Sequence, residues 1–277
     1  MMNKEKGILF IPSLFLVSLL VFIPLIMLAY KSLEVGDAFN FNNYRELFID
    51  STFQKAIKNT FTISFYVVLS TLVLGLPTSY FISRTRGRTK NILMLLVMFP
   101  LLTNAVVRSI SWMIILGYDG ILSRFLNRLG LLSEPISFMY SRFAVIIGST
   151  YIFLPLMIVS LIGVMDNISE ELENASISLG ASRLKTFFTI IIPNSLSGII
   201  VGMVLVFTAT LTAYTTPSIL GGTKTVVLAT LVQQYGNTLG RWELVSSISI
   251  FMFVLTVIVI NLINKGADLV GGNHEKK

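Results

Sequence analysis

The 277-residue chain contains no cysteine and a single histidine. The first absence excludes disulfides, thiolate metal sites and a cysteine nucleophile. The histidine, His274, sits in the polar tail GGNHEKK, where a solvated side chain is the ordinary outcome. Charge is also scarce: 13% of residues are Asp, Glu, Lys or Arg, against roughly 25% in soluble domains. Catalytic signatures are missing. No GxxxxGK[ST], HExxH or GxSxG pattern occurs, and GGTKT at Gly221–Thr225 lacks the Walker spacing. All 14 acidic residues fall in loops, tails or at the ends of apolar runs. Proton- and cation-coupled carriers keep ionisable groups inside the bilayer, so uphill transport by this chain needs energy from another subunit. The net charge of +7 does not gather on an aromatic-studded soluble patch, which excludes a nucleic-acid partner.

What is present is apolar length. Hydrophobic residues make up 54% of the chain and the mean hydropathy is +0.80. About 20 apolar residues as a helix cross the hydrocarbon core. Six stretches qualify, at 8–30, 61–81, 92–116, 143–164, 196–214 and 245–263. The first follows Lys4 and Lys6; its run of about 23 residues exceeds a signal-peptide core, so it reads as a retained span. The fold class is therefore an all-α, multi-pass integral membrane protein with one transmembrane domain over residues 1–277. The short loop SRTRGRTKN carries Arg84, Arg86, Arg88 and Lys90 without an acid, which marks it cytoplasmic and puts both termini inside. FNFNNYRELF, SRFLNRLGLLSEP and PSILGGTKT then lie in outer loops, with Ile121–Leu132 suited to a short helix on the membrane surface. Pro12, Pro24, Pro77, Pro100, Pro155 and Pro193 lie in or beside the spans. Such prolines suit both ordinary membrane helices and kinked transporter helices.

The cytoplasmic loop 165–193 has its own pattern. NISEELENASISLG predicts a helix starting at Asn167, with Glu170 three residues on as in a capping box. Leu172, Ala175, Ser176 and Leu179 form a narrow face, and Gly180 supplies the left-handed stop. Leu184, Phe187, Phe188 and Ile191 then follow at i, i+3, i+4 and i+7, a single apolar stripe. A helix–glycine–helix of this kind fits a groove on another protein, and equally an amphipathic element lying on lipid.

The segment resembles the EAA loop of type I ABC importer permeases: Glu-Ala-Ala, three residues, Gly-Ala, then an apolar stretch ending in proline. Here the matching positions are Asn174, Ala175, Ser176, Leu179, Gly180 and Ala181, with Phe187, Ile190 and Pro193 beyond. Asn174 and Ser176 depart from the pattern. FPLLTNAVVRSISWMIILGYDG at Phe99–Gly120 and TAYTTPSILGG at Thr212–Gly222 are similar to the spermidine/putrescine permease branch, in particular its first permease subunit. Relatives there also serve iron(III) and aminoethylphosphonate.

The resemblance implies a bacterial cytoplasmic-membrane permease of the type I fold. It also implies a second permease subunit, a cytoplasmic ABC ATPase dimer holding ATP and Mg, and an extracytoplasmic solute-binding protein. The chain itself would hold no cofactor or metal and catalyse nothing. Asn174, Ala175, Ser176, Leu179, Gly180, Ala181, Leu184, Phe187 and Phe188 would form the coupling helix against the ATPase. A passive channel or membrane scaffold is the alternative of a different class.

For the solute path, Asn104, Arg108, Ser111 and Trp112 fall on one face of the third span, at i, i+4, i+7 and i+8. A membrane arginine must be paired or reach water, and both a structural or gate role and solute contact remain open for Arg108. Trp112 and Tyr118 also suit an interfacial aromatic belt. Thr208, Thr212, Thr215 and Thr216, with Tyr214 beside them, make a second polar stripe. It is either pore-facing or inert, bonded to its own helix. Gly198 and Gly202 form GxxxG, a pattern for close helix packing.

Overall fold

A computed structural model describes residues 4–35 and 38–271, with side chains described from Phe15 to Glu34 and from Phe39 to Gly266. His274 lies outside the described residues. The described residues are mostly helical: α1 (Lys4–Leu33), α2 (Asn42–Ile49), α3 (Ser51–Ser83), α4 (Gly87–Leu102), α5 (Ala105–Leu116), α6 (Ile121–Arg128), α7 (Arg142–Met165), α8 (Glu170–Ser178), α9 (Arg183–Thr186), α10 (Ile192–Asn194), α11 (Leu196–Thr212), α12 (Leu228–Gln233) and α13 (Trp242–Gly271). Two two-residue strands, β1 (Glu34–Val35) and β2 (Ala38–Phe39), pair antiparallel after α1. Five stretches are long and apolar enough to cross a membrane, and a sixth arises if the helices Arg183–Asn194 and Leu196–Thr212, bent by 71°, form one span.

The residues divide into two compact units. One comprises the described residues through Gln54 together with Leu231–Leu255. Here Phe48, Phe53 and Phe251 pack edge to face at 5.5–5.7 Å. Asn43 Nδ2 donates to Ser32 O (3.0 Å) and Glu34 O (2.9 Å), fixing α2 against the end of α1. Arg241 donates both terminal nitrogens to Glu46, at 2.7 and 3.0 Å. The Tyr235 hydroxyl donates to Asp50 Oδ2 at 2.9 Å. Burial and then this bond to a carboxylate push the Tyr235 hydroxyl up to about 12. Burial works against ionised Asp50, but donation from Thr52 and Tyr235 outweighs it and holds the carboxyl below its ordinary value.

The other unit comprises Lys55–Thr230 and the described residues from Thr256 onward. Its centre is the pair α7–α11, where the glycines expected to form a seam do so. A Cβ on Gly198 would meet Ser160 O at 2.9 Å, and one on Gly202 would meet Met157 Sδ at 2.5 Å. Met157 is also confined from α3, because a Cβ on Gly75 would meet its Cγ at 2.8 Å. Ile82, Ile158 and Ile162 form a buried cluster, with Leu93, Met94 and Val97 of α4 packed on it. Large apolar side chains elsewhere face outward, such as Phe65, Leu95, Ile114 and Val201, as expected where the solvent is lipid.

Two span expectations are corrected. The third, 92–116, is not one helix: α4 ends at Leu102 and α5 begins at Ala105. Thr103 is extended (ψ 137), and Asn104 caps α5 by accepting from Val106 N at 2.9 Å and Val107 N at 3.4 Å. The fifth, 196–214, stops at Thr212. The following PSILG is no surface loop but a π turn, Pro217–Gly221, with Pro217, Leu220 and Gly221 buried. It lies against α7, where a Cβ on Gly148 would meet Leu220 Cδ1 at 2.6 Å. Its backbone is tied down as well, since Tyr140 N donates to Leu220 O at 2.8 Å.

Candidate functional site: a glycine-turned helical pair

The helix α8 starts later than the capping box suggested. Asp166 caps the end of α7, so Asn167 is still in the turn, where its Nδ2 donates back to Gly163 O at 2.9 Å. Ser169 is the N-cap instead, accepting from Glu171 N at 3.1 Å. Glu170, Glu171 and Glu173 then occupy the first turn, where the positive end of the helix favours acids.

The C-terminal end closes as a Schellman motif. Gly180 N donates to Ile177 O at 2.9 Å and Ala181 N to Ser176 O at 3.1 Å. Gly180 has φ +88, the left-handed value this closure requires. Ser182 caps α9 by accepting from Lys185 N at 3.2 Å. The hydroxyls of Ser176 and Thr186 meet at 3.0 Å across the turn, so α8 and α9 hold each other.

The tip this builds is exposed and largely apolar. Leu179 is 89% accessible and Leu184 69%, with Ile177 and Phe188 also exposed. A Cβ on Gly180 would have no atom within 4 Å. Asn174 and Ala175 are exposed beside it, and Ser176 and Ala181 are half-buried. The expected single stripe is split. Leu184 and Phe188 point out, whereas Ile191 is fully buried and Phe187 turns in, its ring 5.3 Å from that of Tyr80. A π turn over Phe187–Ile191 follows Leu184, so the stripe does not keep a single 3.6-residue phase.

Beneath the tip lies an ionic anchor the sequence did not disclose. Glu173 is buried at 8% exposure. Arg84 donates to its Oε1 through Nε (2.6 Å) and through Nη2, and Tyr80 donates to its Oε2 at 2.7 Å. The same guanidinium reaches Met165 O (3.1 Å) and Ile168 O (3.3 Å) at the end of α7. Outer pairs flank it: Arg86–Glu170 at 2.6 Å and Lys90–Asp166 at 2.7 Å. The only sequence signals were the acid-free SRTRGR loop and the acid-rich start of α8.

Of the path candidates, Asn104 and Arg108 come together at the break in the third span. Arg108 is buried, and its Nη1 donates to Pro100 O (2.8 Å) and Thr103 O (3.1 Å). These carbonyls at the end of α4 lack helical partners. Ser111 is exposed and bonds Val107 O at 3.0 Å, and Trp112 packs on Tyr151 with ring centroids 5.8 Å apart. The threonine stripe is interrupted. Thr212 Oγ1 donates to Thr208 O at 3.0 Å, α11 then ends, and Tyr214 and Thr215 lie beyond the break at Ala213. The Thr208 hydroxyl is buried without a protein partner.

The family described as "Binding-protein-dependent transport system inner membrane component" matches residues 71–268. A spermidine/putrescine transport system permease protein of Escherichia coli strain K12 is 29% identical over 265 residues, covering 91% of this chain and 96% of that one. The Haemophilus influenzae protein of the same description is 29% identical over 247 residues, covering 87% and 86%. Among solved structures, a chain of a bacterial alginate ABC transporter, in complex with alginate pentasaccharide-bound periplasmic protein, superposes with a TM-score of 0.80. That likeness holds at 17% identity over 97% of this chain and 96% of that one, and it establishes the type I importer permease fold. With the family match spanning most of its length, the chain belongs to the binding-protein-dependent transport system inner membrane components, as an ABC importer permease subunit.

Proposed function

We propose that this permease forms half of the translocation path of an ATP-driven polyamine importer, as one transmembrane domain with both termini cytoplasmic. ATP and Mg belong to a cytoplasmic ATPase dimer, a second permease subunit completes the path, and an extracytoplasmic binding protein delivers spermidine or putrescine. ATP-driven closure of the dimer moves the tip at Asn174–Phe188 and rocks the spans around a midplane cavity. Asn104, Arg108, Ser111, Trp112, Thr208, Thr212, Tyr214 and Thr215 are the candidates for path or gate. Phe187 serves the tip from behind, since its ring packs on Tyr80.

The observation that carries the reading is the exposed tip itself. Leu179, Leu184 and Phe188 are exposed around a glycine with open space above it. Exposed apolar side chains on a rigid turn mark an interface. Gly180→Trp places bulk there and strains a left-handed backbone. The chain should still insert, while ATPase co-purification and uptake fall; unchanged co-purification with normal uptake refutes the docking role. The solute is tested by calorimetry on the importer's extracytoplasmic binding protein. Tight binding of iron(III) or aminoethylphosphonate with none of spermidine or putrescine rejects the polyamine assignment.

A further inference from the structure

The buried anchor under the tip has a property that docking alone does not demand. Glu173 stands next to Asn174, the exposed residue at the position where the family pattern has its glutamate, yet it faces away from the tip. It takes three hydrogen bonds, all from the last turn and end of α3: two from Arg84 and one from Tyr80. Arg84 also caps the end of α7 through Met165 O and Ile168 O. One guanidinium thus joins the second span, the end of the fourth span and the helix α8. By contrast, the covalent route from the tip onward passes a π turn and a 71° bend before α11.

We infer that Glu173 and Arg84 are positioning residues that latch α8 to the ends of α3 and α7, so that displacement at the tip is delivered to the second and fourth spans directly. The inference rests on the docking reading above. A rigid element has to carry the displacement, and a buried carboxylate that accepts three hydrogen bonds, two of them from a half-buried guanidinium, is such an element. The exposed pairs Arg86–Glu170 and Lys90–Asp166 add little, because water screens them. Glu173→Gln keeps the shape and removes the charge. Tyr80→Phe removes one bond and leaves the ion pair.

The test uses the whole importer, with both permeases, the ATPase and the binding protein, reconstituted in liposomes. Because the chain lacks cysteine, Glu171→Cys, exposed on α8 outside the tip, and Phe81→Cys on α3 can carry spin labels with no other change to this chain. In the parent, the label separation should be equal without nucleotide and in the ATP-trapped state. In Glu173→Gln, ATPase co-purification and basal hydrolysis should persist. Stimulation by loaded binding protein and uptake should fall about tenfold, the scale of ordinary site-to-site coupling, and the separation should become state-dependent. Tyr80→Phe should show the same direction with a smaller effect, and Glu173→Asp should recover part of the coupling. A parent separation that changes between states overturns the latch, as does full stimulation in Glu173→Gln. If Glu173→Gln does not assemble, Tyr80→Phe decides: unaltered stimulation and separation overturn the inference. An ATPase that fails to associate even with the parent overturns the docking reading, and the latch with it.

Discussion

The α7–α11 seam makes a prediction whose size follows from three glycines. Gly198 faces the backbone carbonyl of Ser160, which would lie 2.9 Å from an added Cβ. That oxygen belongs to the α7 helix and yields only if the whole helix moves. Gly202 faces Met157 Sδ at 2.5 Å; a methionine normally gives way, but this one is fully buried and already abuts Gly75. Gly163, also in α7, would place its Cβ in open space. Overpacking costs about 1–3 kcal/mol, whereas replacing a helical glycine by alanine returns about 0.5–1 kcal/mol. Gly198→Ala and Gly202→Ala should therefore lose about 0–2.5 kcal/mol net, and Gly163→Ala should be neutral or stabilised. The assay is equilibrium unfolding in mixed micelles over a denaturing-detergent series, read by circular dichroism. A Gly202→Ala/Met157→Ala double-mutant cycle should give a coupling of about 1 kcal/mol, since the truncated partner leaves room for the new methyl. Gly198→Ala as stable as Gly163→Ala refutes closure of the seam on the Ser160 carbonyl, and zero coupling in the cycle refutes the Gly202–Met157 contact.

Removing Arg108 tests structure against solute contact. Arg108→Leu leaves Pro100 O and Thr103 O without their donor, at about 1–3 kcal/mol per unsatisfied group, so stability should drop while the apparent KM for solute in the surviving fraction is unchanged; a normal melting profile with a raised KM refutes a structural role. The Tyr235–Asp50 bond predicts a pH dependence. Asp50 is held below its ordinary 3.8, so its contribution is present above that pH and is lost as pH falls through the lower folded value. Tyr235, pushed up to about 12, contributes fully below its ordinary 10.0 and loses that contribution as pH rises toward 12. Thermal unfolding of Tyr235→Phe should thus show a deficit that is flat from about pH 5 to pH 9 and shrinks at both extremes; a deficit that varies across neutral pH refutes the assignment.

Much of the architecture was legible because hydropathy needs only composition over a window. The spans at 61–81, 143–164 and 245–263 lie inside α3, α7 and α13. Gly180 was legible because few residues other than glycine accept its backbone angle. What escaped were departures from a constant helical period. A π turn occupies Phe187–Ile191, and a break at Thr103 ends a helix within an apolar run. Pro100 and Asn104 are consistent with that break, yet prolines occur in most spans here, so neither singled it out. PSILG reads as a loop because proline and glycine usually mark turns; its burial depends on the vacancy left by Gly148, a partner about 70 residues away in the chain. The Arg84–Glu173 pair likewise joins residues far apart in sequence, and no local pattern contains it.

The turn at Gly180 already has its backbone groups satisfied within the chain, through Ile177 O and Ser176 O. It therefore takes its shape before any partner arrives. A docking segment that folded on contact would lose chain entropy at that moment and weaken association accordingly. On the proposed docking a preformed tip avoids this, and the subunits would meet as rigid bodies. Association then depends on orientation, in the usual range of about 10⁵–10⁷ M⁻¹s⁻¹. Differences among tip variants accordingly concentrate in how long the assembled complex lasts, and much less in how quickly it forms.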